Sequence, residues 1–471
     1  MYYTLRMAMG KRKRRLRQAS MWIATSDLPI TAAHPFYDRL NRILDDAKFD
    51  AFVEAQCATF YAETLGRPSL APGRYFRLLL IGYFEGLDSE RAIAWRAADS
   101  FALRRFLGLE LPEAPPDHST ISRTRRLIDL ERHEAVFTWM LQRLADAGLV
   151  KGHTIGIDAT TLEANAALRS IVRRDTGETY QEFLTQLAQA SGIETPTRED
   201  LARIDRKRKK KGSNDDWTNP HDPDARITKM KDRRTHLAYK AEHAVDLETG
   251  AVVAVTVQPA DAGDTTTSQD TLIEAAEQIE TVLPDEDGPK ELVADKGYHS
   301  SQSLVDYEAV GLRTYISEPD RGRRDWTDKA DERDAVYRNR RRIRGPRGKR
   351  LLRERSQWLE RPFAHMYDTG GMRRVHLRGL ANIRKRVLVH AAALNLGLLM
   401  RTLVGVGTPR SLQGRAAACL AGLLALLHLP ETLWTLIWTH DHPYTSVDHL
   451  LIPGDDRWIG FSSITGFTTG C

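Results

Sequence analysis

Between residues 154 and 316 the sequence alternates short β-branched runs with amphipathic segments, and this order restricts the fold more than any other feature. Period-two alternation predicts strands, and apolar residues at helical spacing predict helices. The pattern predicts three antiparallel strands, a helix, a strand, a helix and a strand, at Thr154–Ala159, His236–Val245, Ala251–Val257, Thr265–Ile279, Glu291–Ala294, Ser301–Val310 and Arg313–Ile316. This order is typical of a mixed α/β unit and not of a doubly wound parallel sheet.

The preceding segment, residues 34–149, has helical signals. Apolar residues recur at helical spacing in Phe36–Phe52, and apolar helix formers fill Tyr75–Phe84. Asp117 is a predicted N-cap for the helix His118–Ile128. The exposed face of that helix would carry Arg123, Arg125 and Arg126. Several short helices ending in a basic one suit a helix-turn-helix-like DNA-binding region, and a plain bundle with a solvated face is the alternative.

Basic residues are concentrated in four clusters, although the formal net charge is only +6 over 471 residues. The first is the N-terminal arm before Asp27, and the second is Arg206–Lys211, six consecutive cations. The other two lie at 338–350 and 373–386. One such run is usually a solvated face, but four that flank a candidate active site favour a nucleic-acid partner.

Several other classes of protein are disfavoured. Cys57, Cys419 and Cys471 are far apart and have no zinc-ligand spacing, which fits a reducing cytoplasm. The apolar stretch Ala416–Leu429 is too short for a membrane span, so a packed or amphipathic helix is favoured. The sequence contains no phosphate-binding GxxxxGK[ST] loop and no nucleophile elbow.

Three carboxylates are candidate metal ligands. Asp158 is placed at the end of one predicted strand and Asp295 directly after another, while Glu360 is placed at the entry to a helix. Each alone could be a cap, a turn residue or half of a surface ion pair. If they converge, they would hold Mg²⁺, with Mn²⁺ as a substitute. Two such ions about 4 Å apart would support in-line phosphoryl transfer.

Four segments carry a more specific signal: GIDATTLEANA, HLAYKAEHAVDLETGAVVAVTVQPADAGDTT, ADKGYHS and WLERPFAHM…LRGLANIRKRVLVHAAALNL. In sequence and order they resemble bacterial insertion-sequence DDE transposases. The stretch WIATSDLPITAAHPFYDRLNRIL also resembles that group, and the similarity extends from about Trp22 to about Arg401. The resemblance implies an RNase H-like catalytic core with Asp158, Asp295 and Glu360 as its metal-binding catalytic residues.

The resemblance also implies double-stranded DNA as partner, both element ends and target, and a homodimer that pairs two ends. It makes Asp264 and His243 recurrent residues outside the metal ligands. The expected DNA contacts are Lys296, Arg355, Arg361, Arg123, Arg126, Lys209, Lys210, Arg341 and Arg342. Such a protein would work in the bacterial cytoplasm on nucleoid DNA.

This sequence departs from the family pattern around the glutamate. Many relatives carry a lysine seven residues after it and an arginine four residues before it, where this chain has Tyr367 and Ser356. Arg355 and Arg361 could supply the missing cations. The departure keeps two alternatives open: a catalytically inactive, sequence-specific DNA-binding relative, and a nuclease that hydrolyses DNA without joining it.

The expected organisation has four parts. A basic arm covers 1–33, a helical DNA-binding region 34–149, and an RNase H-like domain 150–404. Basic insertions near 163–234 and 320–352 interrupt that domain, and a tail of uncertain role covers 405–471.

Overall fold

The computed structural model describes residues 34–62, 69–110, 112–208, 212–320, 322 and 324–412. Its N-terminal part is helical. The α-helices described there are α1 (Pro35–Asp46), α2 (Phe49–Cys57), α3 (Pro72–Glu85), α4 (Glu90–Asp99), α5 (Phe101–Phe106), α6 (His118–Leu127) and α7 (Leu130–Asp146). The predicted cap of α6 is confirmed, because the Asp117 carboxylate accepts a 2.8 Å hydrogen bond from the Ser119 amide.

A six-stranded mixed sheet lies at the centre of the remaining chain. The described strands, which include two outside this sheet, are β1 (Thr154–Glu163), β2 (Val172–Arg173), β3 (Trp217–Thr218), β4 (Arg226–Lys229), β5 (Thr235–Asp246), β6 (Val252–Pro259), β7 (Glu291–Ala294) and β8 (Arg313–Ile316). The sheet order is β4-β5-β1-β7-β8, β6 also pairs with β5, and β2 pairs with β3 separately. The predicted fold class, a mixed α/β sheet preceded by an all-helical region, is confirmed.

Helices cover both faces of the sheet. The α-helices described in this part of the chain are α8 (Tyr180–Ala190), α9 (Arg198–Lys207), α10 (Asp264–Val282), α11 (Ser301–Ala309), α12 (Ala330–Arg344), α13 (Pro346–Ala364) and α14 (Leu380–Val404). Of these, α8 and α9 pack against each other. On one face, Thr271 of α10 bonds to Thr256 of β6 at 2.6 Å. On the other, α13 lies so close to β1 that a Cβ on Gly156 would come within 2.8 Å of Leu359.

Helix α14 connects the helical part to the sheet by packing against α7 and β6. By length and composition alone, the segment Leu380–Leu412 could cross a membrane, but its most apolar window is 67% buried inside the protein. Its apolar side chains, including Ile383, Val387 and Leu396, belong to the continuous core. The apolar character of α14 is therefore explained by its position inside the fold.

Two buried asparagines complete the hydrogen bonding of the outer strands. Asn395 of α14 accepts from the Val252 amide at 3.0 Å and donates to the Val252 carbonyl at 2.8 Å. Asn339 of α12 makes the same pair of bonds with Ile316 of β8. Buried backbone groups are costly when unpaired, so these amides satisfy sheet edges that water does not reach.

We predict that Asn395→Ala lowers the free energy of unfolding by about 2–4 kcal/mol, because it leaves two buried backbone groups without partners. Chemical denaturation with circular dichroism measures the change. The control is Asn382→Ala on the same helix, whose amide bonds only to the exposed Arg378 carbonyl at 2.9 Å. The control should change stability by no more than about 0.5 kcal/mol. Equal losses in both variants would contradict the edge role.

Two predicted placements are wrong. Asp158 lies in the middle of β1 and not at its end, because the following residues continue to pair with β5 as far as Glu163. Glu360 lies near the C-terminal end of α13 and not at a helix entry. The helix begins fourteen residues earlier, at Pro346, because a proline is accepted in the first turn and the Arg- and Leu-rich sequence after it favours a helix.

Several expectations concern residues outside those described. These are the basic arm, Lys209, Lys210, the apolar stretch 416–429 and most of the tail after 404. The four-part domain organisation stays a prediction.

Candidate active site

The pairing of β1 with β7 brings the two aspartates together. The strands are parallel, with Thr154 beside Glu291 and Gly156 beside Val293. Continuing this register by two more residues on each strand places Asp158 beside Asp295, although the two are far apart in sequence. Parallel neighbours with side chains at the same height lie on the same side of the sheet, so both carboxylates can approach one group.

That group is the guanidinium of Arg355 from α13. Its Nη2 atom lies 2.9 Å from Asp158 Oδ2 and 3.9 Å from Asp295 Oδ2. The Arg355 side chain is only 15% exposed, so solvent screens these interactions weakly. Each aspartate also accepts a backbone bond, Asp158 from the Ala159 amide at 2.8 Å and Asp295 from the Gly297 amide at 2.7 Å.

The pKa of the Asp158 carboxyl is raised above its ordinary value. Burial is the largest cause, and the nearby negative charge of Asp295 acts in the same direction. Arg355 and the Ala159 amide oppose the rise because they favour the charged carboxylate. The neighbouring guanidinium of Arg355 therefore favours the ionised form of the largely buried Asp158 carboxyl.

Glu360 does not join this pair. It is exposed on α13, and its carboxylate accepts a 3.3 Å hydrogen bond from the Ser356 hydroxyl. Five helical positions separate Glu360 from Arg355, a rotation of about 140° around the helix axis. Glu360 lines a surface depression together with Leu352, Arg353, Ser356, Gln357, Arg361 and Ala364. Among the described residues, no group of three His, Cys, Asp or Glu side chains could hold a metal ion.

The oxygen donors of Asp158 and Asp295 nevertheless fit a divalent cation. They already converge on a single positive group, and carboxylate oxygens are the ligands that Mg²⁺ prefers. Mg²⁺ usually takes only one or two carboxylates from the protein and keeps several waters. The two aspartates are thus a sufficient minimal donor set, and Glu360 would have to reach it by a change at α13.

His243 lies opposite Asp158 on β5, with its side chain on the same face of the sheet. Its ring stacks on Phe363 of α13 at a centroid distance of 4.5 Å. Within the described structure neither ring nitrogen has a hydrogen-bond partner, and burial lowers the pKa of His243 to about 3. The imidazole is therefore neutral at physiological pH and serves as a packing surface between β5 and α13.

Asp264 lies beside the turn that follows Asp295. It is the first residue of α10, and its Oδ1 atom is 2.6 Å from Nζ of the buried Lys240. A Cβ on Gly297 would come within 2.5 Å of Asp264 Oδ2 and 3.0 Å of Asp295 Oδ1. The absence of a side chain at Gly297 lets the two carboxylates approach the turn from two sides.

The cations predicted to contact DNA fall into two groups. Lys296, Arg126 and Arg341 are exposed, and Arg361 lies over the Trp358 ring at 4.8 Å. Others have partners within the protein: Arg123 bonds to Ser119, Arg342 to Glu308 and the Thr314 carbonyl, and Arg355 to the aspartates. Arg125, expected on the exposed face of α6, instead pairs with Glu90 and is only 12% exposed.

Tyr367, where many relatives carry a lysine, has a structural contact in this chain. Its hydroxyl donates to the Thr161 carbonyl at 2.9 Å and lies 2.5 Å from the Thr160 hydroxyl. Both contacts are on β1, just beyond Asp158. Tyr367 belongs to a π-helical turn, His365–Thr369, which directly continues α13. The sequence reveals the substitution but not this contact, because β1 is about two hundred residues away.

Two protein-family models match the chain, one over most of the N-terminal helical part and one over most of the part that contains the sheet. A model described as a transposase domain, DUF772, matches residues 27–127, and one described as a transposase DDE domain matches residues 190–396. The chain belongs to the insertion-sequence DDE transposases. The DDE match contains Asp295 and Glu360, whereas Asp158 lies between the two matched segments. Searches of curated proteins and of solved structures find no match.

We predict that Arg355→Gln raises the pKa of Asp158 further in the metal-free transposase, because a neutral side chain no longer favours the carboxylate. The carboxyl then stays protonated to a higher pH. NMR titration of ¹³C-labelled aspartate side chains measures the shift. The control is Arg353→Gln, an exposed cation on the same helix that bonds to the Lys349 carbonyl. An unchanged Asp158 titration in Arg355→Gln would refute the pairing.

Proposed function

We propose that this transposase cleaves DNA at the ends of an insertion sequence and joins the exposed 3′-hydroxyl to target DNA. The observation that carries the proposal is the convergence of Asp158, in the middle of β1, and Asp295, directly after β7, on the largely buried guanidinium of Arg355. Membership of the DDE transposases supports the same reaction class, because that family generally uses divalent metal ions and acts on DNA.

In this proposal Asp158 and Asp295 hold Mg²⁺, or Mn²⁺ in its place, and Glu360 is the third ligand of a site for two ions. When bound, such cations supply the charge that activates water or a hydroxyl and stabilises the leaving oxygen. The guanidinium of Arg355 would then be free to contact a DNA phosphate. Lys296, exposed directly after Asp295, is a second candidate for this contact.

A local feature of α13 supports the proposed movement of Glu360. Pro362 lies inside the helix and cannot donate the usual bond to the carbonyl four residues earlier. The helix then changes to a π-helical turn at His365. This end of α13 consequently lacks regular backbone bonding close to Glu360, and π-helical turns are frequent at functional sites.

A dimer that pairs two element ends, and work on the nucleoid in the cytoplasm, belong to the proposal as well. The second candidate function is a DNA-binding protein that no longer cleaves. Ser356 and Tyr367 at the altered positions favour it. So does the finding that, among the described residues, Glu360 does not form a metal-binding group with the two aspartates. Catalytic variants separate the two functions.

We predict that Asp158→Ala, Asp295→Ala and Glu360→Ala each reduce Mg²⁺-dependent cleavage of an element-end duplex by about a thousandfold, equivalent to about 4 kcal/mol of barrier. Gel analysis of labelled DNA measures cleavage, and a mobility shift tests whether binding persists. The control is Glu354→Ala, a half-buried acid on the same helix that pairs with Arg350 at 3.4 Å. Full cleavage by Glu360→Ala would remove that residue from the site, and no cleavage by the unmodified chain would favour the second function.

We also predict that DNA affinity falls about 10³-fold or more between 50 and 200 mM salt, because bound phosphates release counterions. Two neighbouring arginines on α12 sharpen the test. Arg341→Gln should lower the slope of log affinity against log salt by about one. Arg342→Gln should leave it unchanged, because Arg342 is held by Glu308 at 2.7 Å and by the Thr314 carbonyl at 3.0 Å. A flat salt response would contradict a phosphate-binding surface.

A further inference from the structure

A buried polar cluster lies on the face of the sheet opposite α13. At its centre is Glu242 of β5, whose side chain has no exposed surface. The Glu242 carboxylate accepts hydrogen bonds from the hydroxyls of Tyr298 at 2.7 Å, Thr267 at 3.1 Å and Thr271 at 2.5 Å. The ammonium group of Lys240 is 3.7 Å from the same carboxylate. We call Glu242, Lys240, Thr267, Thr271 and Tyr298 the Glu242 cluster.

Burial of the charged groups of the Glu242 cluster has a large desolvation free energy. Removing a carboxylate and an ammonium from water costs several kcal/mol per ion, and good hydrogen bonding recovers this cost only in part. Apolar side chains of similar volume often give equal or greater stability. The cluster is therefore poorly explained by stability alone, and its contacts with the candidate active site become important.

Those contacts reach the turn that carries Asp295. Tyr298 is the last residue of the short 3₁₀ turn Lys296–Tyr298, which begins directly after Asp295. At one end of the turn, the Asp295 carboxylate accepts the Gly297 amide at 2.7 Å. At the other end, the buried Tyr298 hydroxyl donates to Glu242. Two side-chain hydrogen bonds thus hold the two ends of a turn whose middle residue, Gly297, has no side chain.

Lys240 gives the cluster a second connection to the same turn. Its ammonium group donates to the Thr267 hydroxyl at 2.8 Å and pairs with Asp264 at 2.6 Å. The Asp264 carboxylate in turn packs against Gly297. The cluster therefore contacts the Asp295 turn at two places. Tyr298 bonds directly to Glu242, and Gly297 packs against Asp264, the partner of Lys240.

We infer that Glu242 is a positioning residue for Asp295 and acts through the Tyr298 hydroxyl. The inference rests on the proposed function, because it treats Asp295 as a metal ligand. The hydrogen bond from Tyr298 to Glu242 keeps the turn in the one conformation in which the Asp295 carboxylate points at Asp158. Residues that orient metal ligands in this way typically change metal affinity by about 10- to 100-fold when they are replaced.

The test compares two buried tyrosines in the full-length chain. Tyr298→Phe removes only the hydroxyl that bonds to Glu242. The matched control is Tyr307→Phe, which removes a buried hydroxyl that bonds to Ser268 of α10 at 2.7 Å and does not touch Glu242. We expect Tyr298→Phe to weaken Mn²⁺ binding about tenfold, measured by electron paramagnetic resonance without DNA, and Tyr307→Phe to leave it within about twofold.

A second pair of variants tests the carboxylate. Glu242→Gln keeps an oxygen that can accept from Tyr298, so it should retain most of the Mn²⁺ affinity, whereas Glu242→Leu should lose it as Tyr298→Phe does. Hydrogen exchange of residues 295–299 gives a readout that needs no metal, because a released turn breaks the hydrogen bond from the Gly297 amide to Asp295. We expect faster exchange in Tyr298→Phe and unchanged exchange in Tyr307→Phe. Thermal unfolding identifies any variant that loses its fold.

The outcomes separate this inference from the proposed function. If Asp295→Ala abolishes Mn²⁺ binding while Tyr298→Phe binds normally, the positioning role is rejected and the metal site stands. Equal losses in Tyr298→Phe and Tyr307→Phe also reject it, because the effect would then be general destabilisation. If Asp295→Ala binds Mn²⁺ as the unmodified chain does, both the metal site at Asp295 and its positioning by Glu242 are overturned.

Discussion

The pairing of β1 with its two neighbours is the constraint on which the rest of this transposase depends. Its parallel pairing with β7 places Asp158 beside Asp295, and its antiparallel pairing with β5 places His243 next to Asp158 on the same face. A shift of one residue in either register would turn the aspartate to the opposite face. The close packing of Leu359 on Gly156 then sets the distance of α13 from these side chains.

Charge balance explains much of the remaining architecture. The aspartate pair is matched by Arg355, and acids along the β8 side of the sheet are matched by arginines from α12 and α13. Glu308 pairs with Arg338 and Arg342 at 2.6 and 2.7 Å, and Glu291 pairs with Arg347 at 2.5 Å. Part of the basic cluster at 338–350 thus stabilises the packing of these helices, whereas other members, such as Arg341, are exposed to solvent.

The two faces of the sheet contribute different contacts to the aspartates. On the α13 face lie the groups that meet Asp158 directly: Arg355, the neutral His243 and, further along β1, Tyr367. On the α10 face, the Glu242 cluster reaches the turn after Asp295 from behind. One aspartate is held by the rigidity of a central strand, whereas the other depends on hydrogen bonds to a short turn.

The sequence by itself determined many of the elements around the sheet: β-branched runs located strands, with β7 and β8 at their observed bounds, and helical spacing located α10 and α11. Its motifs also singled out Asp158 and Asp295 as candidate ligands, which stays a prediction. It could not place Glu360 on α13, because the direction of a helical side chain depends on which face packs against the sheet. It could not separate structural from exposed arginines either, since the acidic partners of Arg340 and Arg347 lie 22 and 56 residues away. Only the tertiary structure decided these points, because burial and long-range pairing determine where a charge can be satisfied.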